Sequence, residues 1–305
     1  MSVTSDLHLK TTPRRWPEPR AILTLLKPHT WFPPMWAYFC GVVSVGGGIS
    51  GQWFLVILGV ILAGPIVCGM SQAANDWCDR HVDAINEPGR PIPSGRVPGL
   101  WGLWVAFAMS AVALGVGWQL GPWGFGATVA AVLAAWAYSA EPVRLKRSGW
   151  WGPGLVGLSY ESLPWFTGAA VTALAAPRFE IVMVALLYGL GAHGIMTLND
   201  FKALAGDRAT GVRSLPVMLG PSVAARIACI GMALPQGLVI ALLLVWDRPW
   251  HALAISLLLA AQVGAMRVML RDPAAKAPWY NGTGVALYVS GMMVAAFALR
   301  SLGAG

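Results

Sequence analysis

Charge is scarce in this chain. Only 11% of its 305 residues are Asp, Glu, Lys or Arg, against roughly 25% in an ordinary soluble domain. That excludes a water-solvated globule as the default and leaves a membrane protein. Cysteine is scarce as well. The four residues Cys40, Cys68, Cys78 and Cys229 stand in neither a CxxC nor a zinc-type spacing, which excludes a structural zinc site and predicts free thiols. The first 20 residues are polar, contain Pro and lack an apolar h-region, so they read as a short mobile tail and not a secretory leader, part of a cytoplasmic N-terminal tail expected over residues 1–28. No Ser- or Gln-rich linker divides the remainder, and residues 29–305 are expected to form one transmembrane domain. Asn281-Gly282-Thr283 matches a glycosylation acceptor, but without a secretory context it counts as chance.

What the sequence has is long hydrophobic runs. Nine stand out, at 31–49, 53–74, 100–120, 123–140, 153–176, 179–198, 227–246, 250–270 and 280–299. Each approaches the ~20 residues that cross a bilayer core as a helix. The 16 Trp residues lie mostly at the ends of these runs, where amphipathic rings favour the interface. The expected fold class is therefore an all-α polytopic bundle of nine transmembrane helices.

The cations orient it. With the N-terminus cytoplasmic, Lys and Arg gather in the tail (Lys10 to Lys27) and in the connections after the second, fourth, sixth and eighth runs; only Arg178, Arg248 and Arg300 fall on the other side. This is the positive-inside bias, and it predicts a periplasmic C-terminus. The net charge of +8 then reflects topology. A nucleic-acid partner is not expected, because such readers need a basic face on a soluble module; the lipid bilayer is.

The long cytoplasmic connections carry the chemistry. The second run leads into NDWCDRHVDAINEPGRPIPSGR, residues 75–96. On a helix continuing that run, Asp76, Asp79 and Asp83 fall within about 60° of arc, with Asn75 at its edge. Three carboxylates on one stripe repel each other, strongly so beside a low-dielectric slab. A hard divalent cation such as Mg2+ removes that repulsion; it prefers oxygen ligands and leaves positions for substrate phosphates. A second stripe, Asn199, Asp200 and Asp207, follows the sixth run in NDFKALAGDRATGVRSLP. Asp200 and Asp207 are seven apart and are expected on one helix face. The two segments look like copies of one unit, each an acidic helix end, an Asp-Arg pair, then Arg and an apolar-Pro turn. Facing each other, they would hold Mg2+ and a diphosphate.

Cationic and hydroxyl groups cluster nearby: Arg90 on the Pro-rich turn, Tyr138, Arg144 and Lys146 in AYSAEPVRLKR, and Arg208 and Arg213 after the second stripe. Such groups clamp phosphate oxygens and neutralise a departing diphosphate. Positive-inside anchoring explains Arg147, Arg267 and Arg271 equally well. Two polar residues lie at membrane depth: His193, seven before Asp200, and Glu161 in LSYESLPWF. Both are candidates for an acceptor pocket, with an internally satisfied histidine or a helix-pairing carboxyl as the bland alternatives.

NDxxDxxxD followed by RPIPSG, the second Asp motif, the YSxxPxRLKR loop and the nine runs together resemble the UbiA family of intramembrane prenyltransferases over nearly the whole chain. NDWCDRHVDAINEPGRPIPSGR, NDFKALAGDR and KPHTWFPPMWAYFCGVVSVG look like the branch that acts on (bacterio)chlorophyllides, and more like its bacteriochlorophyll form than its plant form. The resemblance implies a UbiA-type bundle with a lipid-accessible cavity, Mg2+ as cofactor, Asp79, Asp83, Asp200 and Asp207 as the catalytic carboxylates, and Asn75, Asp76 and Asn199 as further metal ligands. It implies geranylgeranyl or phytyl diphosphate as donor, bacteriochlorophyllide a as acceptor, a bacterial photosynthetic inner membrane as location, and pigment-biosynthesis or assembly proteins as further partners. One departure stands out: Ala203 occupies a position where many family members carry Asp. Two other readings remain open at this point, a UbiA-type enzyme acting on a quinone precursor or haem, and a non-catalytic transporter or pigment-binding protein.

Overall fold

The computed structural model describes residues 15–46 and 51–302. Lys10 and Arg14 of the tail, and the end of the first hydrophobic run, lie outside them. The first half of the chain forms α1 (Pro19–Leu25), α2 (Phe32–Ser44), α3 (Trp53–Ile61), α4 (Gly69–Asn86), α5 (Trp101–Gln119) and α6 (Gly121–Ser139). The second half forms α7 (Trp151–Gly157), α8 (Leu163–Ala173), α9 (Phe179–Asn199), α10 (Leu204–Thr210), α11 (Leu215–Leu219), α12 (Pro221–Val245), α13 (Pro249–Met269) and α14 (Pro273–Leu302).

Two π-helical segments join successive helices into longer rods, Leu62–Cys68 between α3 and α4 and Leu158–Ser162 between α7 and α8. A proline acts at each, Pro65 inside the first and Pro164 two residues past the second. Pro65 has no amide to offer the Ile61 carbonyl, and Pro164 none for Tyr160, so the i→i−4 ladder breaks and widens there. Counting each joined pair as one, nine long helical units follow the order of the nine hydrophobic runs among the described residues. Six of them, Trp53–Asn86, Trp101–Gln119, Phe179–Lys202, Pro221–Val245, Pro249–Met269 and Pro273–Leu302, meet a length-and-hydropathy requirement for crossing a membrane on their own. The chain is an all-helical, multi-pass membrane protein.

The largest core joins α2, α8, α9, α12, α13 and α14 around Trp165, Tyr188 and Tyr288, all fully buried. Trp165 stacks on Tyr188 with ring centroids 5.7 Å apart, and Tyr288 meets Tyr188 edge-on at 5.3 Å and donates to its carbonyl. In lipid, close packing rather than transfer from water holds helices together. Glycine makes that packing possible between α2 and α8: a Cβ on Gly41 would overlap the Trp165 carbonyl oxygen, and one on Gly168 the Tyr38 carbonyl.

One part of the expected tail is not a mobile tail. Ala21 and Leu25 of α1 are fully buried against Ala73, Ala74 and Ala106 of α4 and α5. Trp16 lies on Trp101 with centroids 5.2 Å apart, and the Glu18 amide donates to Arg96 O at 3.0 Å. This apolar spacing within a polar stretch escaped the hydropathy reading because it spans only two turns. The four cysteines are free; Cys40, Cys68 and Cys229 are buried and Cys78 is half-buried.

Candidate active site

As the spacing predicts, α4 runs on past the apolar run and carries Asn75, Asp76, Asp79 and Asp83 on one helix. The second motif is built differently from the single helix face expected for it. After Asn199 at the end of α9, one 3-10 turn over Asp200–Lys202 leads the chain aside, and Asp207 stands on the separate short helix α10. Asp200 and Asp207 nevertheless line the same chamber as Asp79 and Asp83. Gly211, with φ of 73°, ends α10 in the left-handed region that favours glycine. The turn brings Ser214 back to donate to Asp207 Oδ2 at 2.7 Å.

The chamber has a volume of about 670 Å³. Arg90, Arg144, Lys146 and Tyr138 line it with the four carboxylates. Arg144 Nη2 reaches Asp79 Oδ1 at 2.9 Å, and Lys146 Nζ contacts the same oxygen. Arg90 Nη1 holds Asp83 Oδ2 at 2.9 Å, while its Nη2 holds Glu87 at 2.6 Å. That hydrogen bond keeps the Glu87 carboxyl below its ordinary value. Burial pushes the Lys146 ammonium down against the pull of Asp79, and burial pushes the Asp207 carboxyl up against the Ser214 hydrogen bond. No side chain among the described residues pairs with Asp200.

A second chamber of about 760 Å³ adjoins it and is lined mainly by apolar side chains. Asn75, Tyr138 and Met196 line both chambers. The apolar chamber reaches the protein surface between α2 and α14, where Phe32, Ala286 and Ser290 are exposed and also line it. A polar strip crosses its wall: Gln72 Nε2 donates to Tyr160 Oη at 3.0 Å and Cys68 Sγ lies 3.3 Å from the same oxygen. Asn281, on α14, donates to Asn199 Oδ1 at 2.8 Å.

Several expected site residues stand elsewhere. Asp76 lines neither chamber; it is 2% exposed and enclosed by Lys27 at 2.7 Å and Arg90 at 3.4 Å. It stands at the edge of the Asp arc furthest from Asn75, where α1 docks. Arg208 and Arg213 are exposed and line neither chamber. Arg213 acts through its backbone, bonding Gly149 N and Arg147 O. His193 also lines neither chamber. Its Nε2 is 3.2 Å from Trp150 O and its Nδ1 3.4 Å from Thr197 Oγ1, so it is internally satisfied. Glu161 does line the apolar chamber. Sequence reasoning missed Lys27 and Asn281. The only signal for Asn281 was an amide at the start of the ninth run, and it was set aside as a chance glycosylation match.

The donor set fits a hard divalent cation. Carboxylate oxygens from two helix ends and the Asn75 amide face one cavity, and Asp200 faces it without an ion-pair partner. Asn199 lines only the apolar chamber, with its Oδ1 accepting from Asn281. Among the described residues no three of His, Cys, Asp or Glu gather closely enough to form a metal cage by themselves. Mg2+ uses few protein carboxylates and leaves positions for phosphate oxygens, and so open a donor set is compatible with it.

The sequence matches the UbiA prenyltransferase family over residues 30–296. It is 70% identical over 302 residues to the bacteriochlorophyll synthase 33 kDa chain of Cereibacter sphaeroides, covering 99% of both chains. It is 35% identical to the chloroplastic chlorophyll synthase of Arabidopsis thaliana, over 90% of this chain and 73% of that one. Among solved structures, a UbiA homolog from Archaeoglobus fulgidus bound to DMAPP and Mg2+ superposes with a TM-score of 0.69 at 20% identity, covering 92% of this chain and 99% of that one. At that identity the likeness speaks for the fold alone.

Proposed function

Because the chain belongs to the UbiA prenyltransferase family, we propose that it joins a geranylgeranyl or phytyl chain to the propionate of bacteriochlorophyllide a, taking the chain from its allylic diphosphate and releasing diphosphate. The observation that carries this reading is the pair of chambers, one polar and one apolar, meeting at Asn75, Tyr138 and Met196. An allylic diphosphate has the same division, a highly charged head on a purely apolar chain. The 70% identity to a bacteriochlorophyll synthase supports the choice of acceptor.

Asp79, Asp83, Asp200 and Asp207, with Asn75 and Asn199, would hold Mg2+; Asp76 drops out of that set and acts as a structural charge. Bound there, Mg2+ supplies Lewis-acid neutralisation of the diphosphate. Arg90, Arg144 and Lys146 bind the diphosphate oxygens and are pre-positioned for this by Asp83 and Asp79. Tyr138, at the junction, offers a hydroxyl to the bridging region. As the allylic C–O bond breaks, the electron pair leaves with the diphosphate, and a propionate oxygen forms the new bond to the allylic carbon. A propionic acid with a pKa of ~4, like that of Glu, is ionised at neutral pH, so no general base is needed. The apolar walls exclude the water that would quench the allylic cation. The motif side faces the cytoplasm in this reading, with the N-terminus cytoplasmic and the C-terminus periplasmic in a photosynthetic inner membrane.

The test is a membrane assay with Mg2+, labelled geranylgeranyl diphosphate and bacteriochlorophyllide a, with 4-hydroxybenzoate in a parallel tube. The expected product is an esterified, lipophilic bacteriochlorin that disappears on chelation. Label on 4-hydroxybenzoate and none on the pigment would move the chain to quinone chemistry.

A further inference from the structure

Glu161 is an anomaly in the apolar chamber. It is 4% exposed, its Oε2 has no hydrogen-bond partner, and no basic side chain among the described residues pairs with it. Its polar neighbours on the same wall are different: Tyr160, Gln72 and Cys68 satisfy one another. A buried polar atom left unpaired is costly, and Glu161 lines the apolar chamber, so its carboxyl points to a ligand group that completes it.

The backbone that carries this residue is held closely. Glu161 sits within the π-helical segment Leu158–Ser162, near the middle of the α7–α8 rod. Ser162 beside it donates to Ala185 O at 2.9 Å, and α7 presses on α9 so closely that a Cβ on Gly157 would overlap the Gly189 carbonyl oxygen. Extra residues of this kind in a helix re-aim side chains and recur at functional sites.

The chemistry then selects the ligand. A carboxyl in apolar surroundings with no cation beside it favours its neutral form, which carries an O–H donor as well as acceptor oxygens. A prenyl chain has no polar atom to meet it. The acceptor ring has peripheral carbonyl oxygens, a ring ketone and an acetyl group. A cavity of about 760 Å³ lies in the range that takes a large rigid ligand.

We propose that Glu161 is a specificity-determining residue whose carboxyl O–H donates a hydrogen bond to a peripheral carbonyl of the acceptor ring in the apolar chamber. The proposal rests on the acceptor reading given above. It makes this part of the chamber wall a recognition surface for the peripheral substituents of the ring.

The test pairs Glu161→Gln and Glu161→Leu with two readouts. The first is kcat/KM for bacteriochlorophyllide against analogues in which the acetyl group is replaced by vinyl, or the ring ketone by methylene. Glu161→Leu is expected to lose about tenfold on the natural acceptor and to leave one of the two analogues unchanged, which identifies the carbonyl. Its KM for the prenyl diphosphate stays the same. Glu161→Gln, whose amide still donates, retains the preference. The second readout is the carbonyl stretch of the bound, unreacted acceptor by resonance Raman, lowered in the wild-type protein and returned to its free position in Glu161→Leu. Equal losses on all three acceptors, or an effect confined to the prenyl diphosphate, would overturn the proposal, as would an unshifted carbonyl in the wild type. A wild-type protein that esterifies no bacteriochlorin defeats the functional reading instead, and the Raman measurement still decides the role of Glu161.

Discussion

Lys27 Nζ lies 2.7 Å from Asp76 Oδ1, and Arg90 approaches the same oxygen at 3.4 Å. The first residue follows α1, the second lies on the turn after α4, and the buried carboxylate ties both to the helix that carries Asp79 and Asp83. Lys27→Met is expected to destabilise the detergent-solubilised protein by about 1–3 kcal/mol, the scale for depriving a buried polar group of its partner, at the lower end because Lys27 is partly exposed. Asp76→Asn in the Lys27→Met background is expected to restore part of the loss. Thermal unfolding of the four proteins forms the double-mutant cycle, and an additive result would remove the coupling.

Asp79→Asn, Asp83→Asn and Asp200→Asn are each expected to lower turnover by about 10²–10³-fold or more, the scale of removing one electrostatic contact to a reacting group. Protein levels in the membrane should be unchanged. Asp76→Asn is expected to act differently, lowering stability more than turnover. Comparison of the four at matched expression checks the division between residues that line the chamber and the one that does not.

Chelation is expected to abolish esterification, and added Mg2+ to restore it. Asn281→Leu is expected to raise the Mg2+ concentration for half-maximal activity by about tenfold, because a partner that orients a ligand contributes 10–100-fold to metal affinity and Asn281 orients Asn199. An unchanged Mg2+ titration would make Asn281 a packing residue.

In its proposed role Lys146 binds diphosphate in its protonated form, and burial lowers its pKa below the ordinary lysine range. The charged form is lost as pH rises through that lowered value. The alkaline limb of kcat/KM for the prenyl diphosphate is therefore expected below the pH at which a free lysine titrates, about 10.4. Lys146→Arg should carry that limb to higher pH, since arginine stays protonated. A limb that does not move assigns it to another group.

The order of the helices and the identity of the acidic helix ends were legible because both rest on local periodicity. Run length near 20 residues and a 3.6-residue repeat are properties of the chain itself. The arc of Asp76, Asp79 and Asp83 was legible as well, but not which edge of it turns away. That depended on α1, a helix of two turns whose apolar residues are too few to register against a polar background. The second motif was read as one helix face because seven residues make two turns; the 3-10 turn at Asp200–Lys202 broke that count. His193 failed for a related reason: facing the same way as Asp200 by periodicity says nothing of the Trp150 carbonyl that comes from another segment. Asn281 lies 82 positions from its partner Asn199, and no spacing rule reaches that far.

In the proposed reaction the junction at Asn75, Tyr138 and Met196 would place the reacting carbon at a phase boundary. When the bond changes hands, the two products belong to different solvents. In the proposed reaction diphosphate would pass to water through the charged chamber, and the newly esterified pigment, having lost its carboxylate, would pass to lipid between α2 and α14. Each leaves by a route the other cannot take. The reverse reaction would require both to return to one point from opposite phases, so the separation would slow the return of the prenyl group to diphosphate and leave the equilibrium unchanged.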